Sequence, residues 1–155
     1  MKALTLWRPW PVAIIRAGKR VENRGWVPPS WLIGKDFALH AGKTVDKDTC
    51  EDLVDDFGIP RESVPGDLGI VAVVRLAGYV AETPDGGRVR SHIDEALARQ
   101  IVESQWWCGP AGWVLDNVRP LAVAVPCKGA QGLWNVPPDI EAAVVAQLQK
   151  GHRAA

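Results

Sequence analysis

The sequence predicts an α+β fold, a small β-barrel or curled sheet with peripheral helices, and three observations carry that reading. Short β-branched runs bounded by glycine and proline recur along the chain. The helical stretches between them do not alternate regularly with strands, as a doubly wound parallel sheet would require. The 155 residues are 47% hydrophobic and 23% charged, ordinary usage for one domain able to bury a core. No repeat, low-complexity tract or linker divides them, so a single domain over 1–155 is expected.

The elements follow in order. Ala3 to Leu6 reads as a strand, and Trp7-Arg8-Pro9-Trp10 as a turn. A helix is predicted from about Pro11 to Ala17, because proline suits the first helical turn and Gly18 supplies a left-handed stop. Lys19 to Trp26 re-emerges as an extended edge before Val27-Pro28-Pro29-Ser30. Asp36 to Ala41 is a strand ending in a Gly42-Lys43 turn. An acid-rich helix from Lys47 to Phe57 has Asp46 or Thr44 as N-cap and Gly58 as its stop. Gly69 to Gly78 is the strongest strand signal, and Thr83-Pro84-Asp85-Gly86-Gly87 a surface turn.

Ser91, followed by Asp94 and Glu95, offers an N-cap and first-turn acids for a helix through about Ser104. Gly112 to Val118 and Leu121 to Val125 read as two strands either side of Arg119-Pro120. A strand at Gly132 to Asn135 and a final amphipathic helix, about 139–150, complete the chain.

Composition narrows the function classes. Apolar runs such as Leu121 to Pro126 are far short of the roughly 20 residues of a membrane span, and no apolar signal core opens the chain, so a cytoplasmic protein without membrane contact is expected. Cys50, Cys108 and Cys127 form neither a CxxC pair nor an even set, which favours reduced thiols and suggests no metal site. No cofactor is expected. The composition, rich in Ala, Val, Gly, Arg and Asp, is compatible with a GC-rich bacterial or phage genome.

The formal net charge is zero, yet residues 1–43 carry +6 and residues 44–85 carry −7. A protein that coats long duplexes is usually basic overall, so a short, focused anion site fits this chain better. Eight tryptophans against two Phe and one Tyr add large, rigid indoles on which bases could stack.

The densest constellation is Gly18-Lys19-Arg20-Val21-Glu22-Asn23-Arg24-Gly25-Trp26. If Lys19 to Arg24 is extended, Arg20, Glu22 and Arg24 share one face and two guanidinium groups flank one carboxylate. Such a cluster could hold a phosphate while Glu22 orients the arginines. A solvated edge-strand salt bridge is the plainer reading of the same residues.

The run from Leu4 to Trp26, with Arg8-Pro9-Trp10, a short helix, and then Gly18-Lys19-Arg20-Val21-Glu22-Asn23-Arg24 followed by Trp26, resembles the signature of the ASCH family: a polar residue before Pro-Trp, then Gly-x-Lys-x-x-Glu-x-Arg and a nearby Trp. The resemblance continues through Leu32 to Lys43, at Gly66 to Val73, and at Pro126 to Trp134, where Lys128-Gly129 and Trp134 are similar to the closing motif of ASCH domains related to activating signal cointegrators. It covers about residues 3–136 and is weakest near 82–110. It implies a PUA-like barrel with a cleft beside the first helix and the Gly-x-Lys-x-x-Glu-x-Arg strand, and association with RNA or other single-stranded nucleic acid, or with a nucleotide-like small molecule. Arg8 departs from the glutamine of many relatives and makes the groove more basic.

Combining motif and resemblance, Trp10, Trp26 or Trp134 would stack a base, while Arg8, Lys19, Arg20, Arg24, Lys43 and Lys128 contact phosphates and Glu22 and His40 complete the site. The alternative is a small hydrolase of RNA or a modified nucleoside with Lys19 and Glu22 as acid and base. In the acetylcytidine amidohydrolases of the family a Thr stands three positions after the Lys and a distant Glu assists. Here Glu22 replaces that Thr and Ala72 to Val74 supply no acid. A third reading is a protein-interaction adaptor using the acidic helix near Asp46 to Phe57. His92 and His152 are assigned no role, and no His/Asp pattern accompanies the cysteines.

Overall fold

The computed structural model describes residues 1–153. The class is the expected one, α+β, with seven strands in one sheet and four α-helices among the described residues, in keeping with a small barrel-type sheet and peripheral helices. The strands are β1 (Lys2–Arg8), β2 (Val21–Arg24), β3 (Asp36–Val45), β4 (Gly69–Glu82), β5 (Arg88–Ser91), β6 (Ala111–Val125) and β7 (Leu133–Asn135). The helices are α1 (Trp10–Arg16), α2 (Lys47–Asp55), α3 (Glu95–Glu103) and α4 (Pro138–Arg153). The strand order is β2-β6-β4-β3-β1-β7, with β5 pairing β4 outside that path. Among the described residues no helix is long and apolar enough to cross a membrane.

The chain forms two compact units. The first comprises Met1–Gly18, Phe37–Val74 and the chain from Val118 onward; the second comprises Lys19–Asp36 and Arg75–Asn117. β4 and β6 therefore contribute one half to each.

In the first unit β1 and β3 pair in parallel, Ala3 opposite Ala38 and Thr5 opposite His40, and β7 adds antiparallel to β1. Ala3, Ala38, Ile70, Val73, Val125, Val136 and Val144 form its core, with Ile140 and Leu148 of α4 packed against it. β3 is buried without a break from Phe37 to Gly42, as a strand covered on both faces is. α1 carries Pro11 in its first turn, buries Val12, Ala13 and Ile14, and ends before Gly18, whose φ of +71° is the left-handed stop expected. α2 is capped by Asp46, whose carboxylate accepts the Thr49 N–H at 3.1 Å.

In the second unit β2 runs antiparallel to β6, pairing Val21 with Val114 and Glu22 with Trp113. Val21, Val80, Ile93, Ala98, Ile101 and Val114 make its core. Asp94 caps α3 by accepting the Leu97 N–H at 2.8 Å.

Several boundaries differ from the sequence expectation: β1 runs on through Trp7-Arg8, expected as a turn, and pairs Arg8 with Val45, and β4 runs on to Glu82. β3 continues through Gly42-Lys43 instead of turning there, because the Arg8 guanidinium gathers both carbonyls. Ala111 to Val125 is one strand: β2 is paired with Ala111–Val114, so Pro120, which has no N–H to give, lies beyond that register. Arg88 to Ser91 is a strand hairpinned onto β4 through the Thr83–Gly87 turn, which takes Ser91 into the ladder and leaves the capping to Asp94. The last helix extends to Arg153; the side chain of His152 lies outside the described residues.

Candidate nucleic-acid interface

The motif residues divide between the two units, and each group has its own geometry. The first unit's α1 ends before Gly18, and in the second unit β2 begins only at Val21. Lys19 thus precedes the strand. Its ammonium, 2% exposed as a residue, donates to the Val21 carbonyl and to Glu22 Oε2 at 3.1 Å. Glu22, 8% exposed, also receives Arg24 Nη1 at 3.6 Å. Glu22 thus pairs with Lys19 as well as Arg24, a partner that strict alternation from residue 19 does not predict. Arg20 is exposed and donates to the Lys19 carbonyl at 3.1 Å.

Beside this cluster Trp26 leaves 42% of its surface in solvent. Its carbonyl accepts the Trp113 indole N–H at 3.0 Å, and the two rings meet edge to face, 4.8 Å apart at 86°. The Arg24 guanidinium carbon lies 5.9 Å from the Trp26 ring centre, within cation–π range. Asn23, on the other face of β2, accepts the Cys108 N–H and donates to the Trp106 carbonyl, fixing the loop after α3. A buried ammonium, a carboxylate that orders it and Arg24, and an exposed indole with the Arg24 guanidinium beside it make an arrangement that can stack a planar ring and offer Arg24 to an anion.

In the first unit the predicted residues are spent differently. Three N–H groups of Arg8 donate to the carbonyls of Gly42, Gly66 and Lys43 at 2.9, 3.0 and 3.2 Å, tying β1 to β3 and to the loop before β4. A guanidinium engaged by three carbonyls acts first as a staple, with two donors left. Lys43 and Lys128 are exposed, and Trp10 opens α1 half-buried.

His40 is buried, with Nε2 3.1 Å from the Cys127 carbonyl. A carbonyl can only accept, so Nε2 donates to it, and Nδ1 is buried without a hydrogen-bond partner. Trp134 meets the imidazole edge to face at 5.5 Å and donates its indole N–H to Thr5 Oγ at 3.0 Å. A side chain at Gly129 would place its Cβ 2.5 Å from the His40 ring and 2.7 Å from Thr5 Oγ, so only glycine lets the Cys127–Gly132 loop pass there. His40 and Trp134 hold the loop that carries Lys128.

Sequence reasoning missed Trp113 and Thr5, the two side chains that position Trp26 and Trp134. Trp113 could have been found as the aromatic residue of an otherwise small and aliphatic strand, Gly112 to Val118. Thr5 carries no such signal. Burial pushes the thiols of Cys50 and Cys127 up, aided at Cys50 by the carboxylates of Asp46 and Glu51, which keeps both protonated and poorly nucleophilic. Among the described residues no group of three His, Cys, Asp or Glu side chains gathers as a metal site would need. No family model matches the sequence, and no characterised protein matches it significantly.

Proposed function

We propose that the chain is a binding module for single-stranded RNA or a nucleotide-like ligand, of the PUA-like ASCH kind its sequence resembles, with Trp26 as the stacking surface and Arg24 and Arg20 as phosphate contacts. The observation that carries this reading is the exposed Trp26 indole, braced by Trp113 and flanked by Arg24. A rigid aromatic face beside a guanidinium matches what a base and its phosphate present. In this reading Lys19 and Glu22 position Arg24 and touch no ligand themselves. The hydrolase alternative asks Lys19 to exchange protons with a substrate, but its ammonium is held between Glu22 and the Val21 carbonyl and is closed to solvent.

Anisotropy titration with a labelled single-stranded RNA at two salt concentrations tests the reading. Trp26→Ala should weaken binding by about 1–3 kcal/mol, roughly 5- to 150-fold, and leave the salt slope alone. Arg24→Gln should lower that slope by about one phosphate's worth. Unchanged affinity in both variants overturns the assignment.

A further inference from the structure

A cavity lies within the second unit that none of the motif residues lines. β5 pairs β4 with Val80 opposite Arg90 and Glu82 opposite Arg88, so Arg88, Arg90 and Val80 share one face of that hairpin. On α3, Ala98, Arg99, Val102 and Glu103 recur at helical spacing on one side. Together these residues line a cavity of about 470 Å³, a size within the range of small-molecule pockets.

Its charges are not equivalent. Arg90 is spent, donating to Glu95 at 2.9 Å and to the Ile93 carbonyl at 2.9 Å. Arg88, Arg99 and Glu103 make no hydrogen bond or ion pair among the described residues, and all three are exposed. Beneath them Val80 and Ala98 are buried and Val102 half-buried, giving an apolar floor. The cavity thus offers two guanidinium groups with fork geometry for an anion, an apolar surface for a body attached to it, and a carboxylate able to accept from hydroxyl or amino hydrogens.

We infer that this trough binds a nucleoside monophosphate unit, its phosphate between Arg88 and Arg99, its ring against Val102, which lies over the buried Val80 and Ala98, and its sugar or base hydrogens on Glu103. The ligand is either a free nucleotide or the 5′-phosphorylated end of a strand, and the inference does not depend on stacking at Trp26.

Calorimetric titration of the full chain with AMP, UMP, adenosine, inorganic phosphate and a 5′-phosphorylated trinucleotide tests it. AMP or UMP should bind more tightly than adenosine or phosphate alone, and Arg88→Gln with Arg99→Gln should weaken that binding about 10- to 100-fold, as loss of hydrogen bonds to a charged group predicts. Both side chains are exposed and unpaired, so the thermal midpoint should not move, and Trp26→Ala should leave this titration intact. Tighter binding of the trinucleotide identifies a strand end, and tighter binding of the mononucleotide a free ligand. No nucleotide binding, phosphate binding as tightly as AMP, equal affinity in the double variant, or loss of AMP binding in Trp26→Ala would each overturn the site.

Discussion

Two charged clusters, one in each unit, stand in opposite surroundings. The second unit buries a charged group, Lys19 and Glu22, whose side chains are 3% and 10% exposed, with Arg24 at its margin. The first unit gives Arg8 to three backbone carbonyls and holds one ion pair, Glu51–Arg61, in water with side chains 59% and 62% exposed, as the second unit also does with Arg75–Asp116 and Arg90–Glu95. The exposed pair has the better geometry, two parallel bonds of 2.9 Å. Geometry alone would rank it first, and burial reverses the order, because an unpaired charge in water is solvated and one in the interior is not.

The largest effect is therefore expected at Glu22. Glu22→Gln removes the negative charge that pairs the buried Lys19 ammonium and should lower unfolding stability by about 3–5 kcal/mol, read from urea denaturation. Removing both charges, Lys19→Met with Glu22→Leu, should recover most of that loss, since the desolvation cost leaves with the pair. A loss from Glu22→Gln below about 1 kcal/mol, the level of an exposed pair, would break the comparison.

Arg8 comes next. Arg8→Met keeps the aliphatic stem and removes three donors, which should cost about 1.5–3 kcal/mol. Arg8→Lys should recover only part, because an ammonium cannot span carbonyls presented by two separate segments. Full recovery by lysine would mean that charge, and not the fork of N–H groups, holds Gly42, Lys43 and Gly66 together.

How much of this was legible in the sequence follows from the same distinction between local and distant causes. The Asp46 cap, the Gly18 stop, the turn at Thr83–Gly87 and the strand from Gly69 depend on residues a few positions apart, and each could be read. The extension of β3 through Gly42-Lys43 depends on a guanidinium 34 residues earlier, and no local pattern announces it. At the site, Glu22 and Arg24 were found together because two residues on one strand share a face. The placement of Lys19 was not legible, because alternation applies only from Val21, where the strand begins, and the lysine side chain curls back onto it. Trp113 escaped because its importance lies in what it touches, Trp26, 87 residues away in sequence.

The smallest effect sharpens the comparison from the other side. The Arg61 guanidinium, by hydrogen bonding and then by its charge, holds the Glu51 carboxyl below its ordinary value of 4.5. A carboxyl depressed in the folded state contributes stability above its ordinary value and loses it as pH falls through the lowered one. Wild type and Glu51→Gln should therefore differ slightly in thermal midpoint at neutral pH and converge in acid, while the large deficit of Glu22→Gln stands out at neutral pH, where Glu51→Gln barely registers. Because both partners of the Glu51–Arg61 pair are solvated, added salt should shrink the neutral-pH difference as well. A Glu51→Gln deficit as large as that of Glu22→Gln, insensitive to salt, would mean that bond geometry outweighs burial in this protein and that the buried cluster is replaceable.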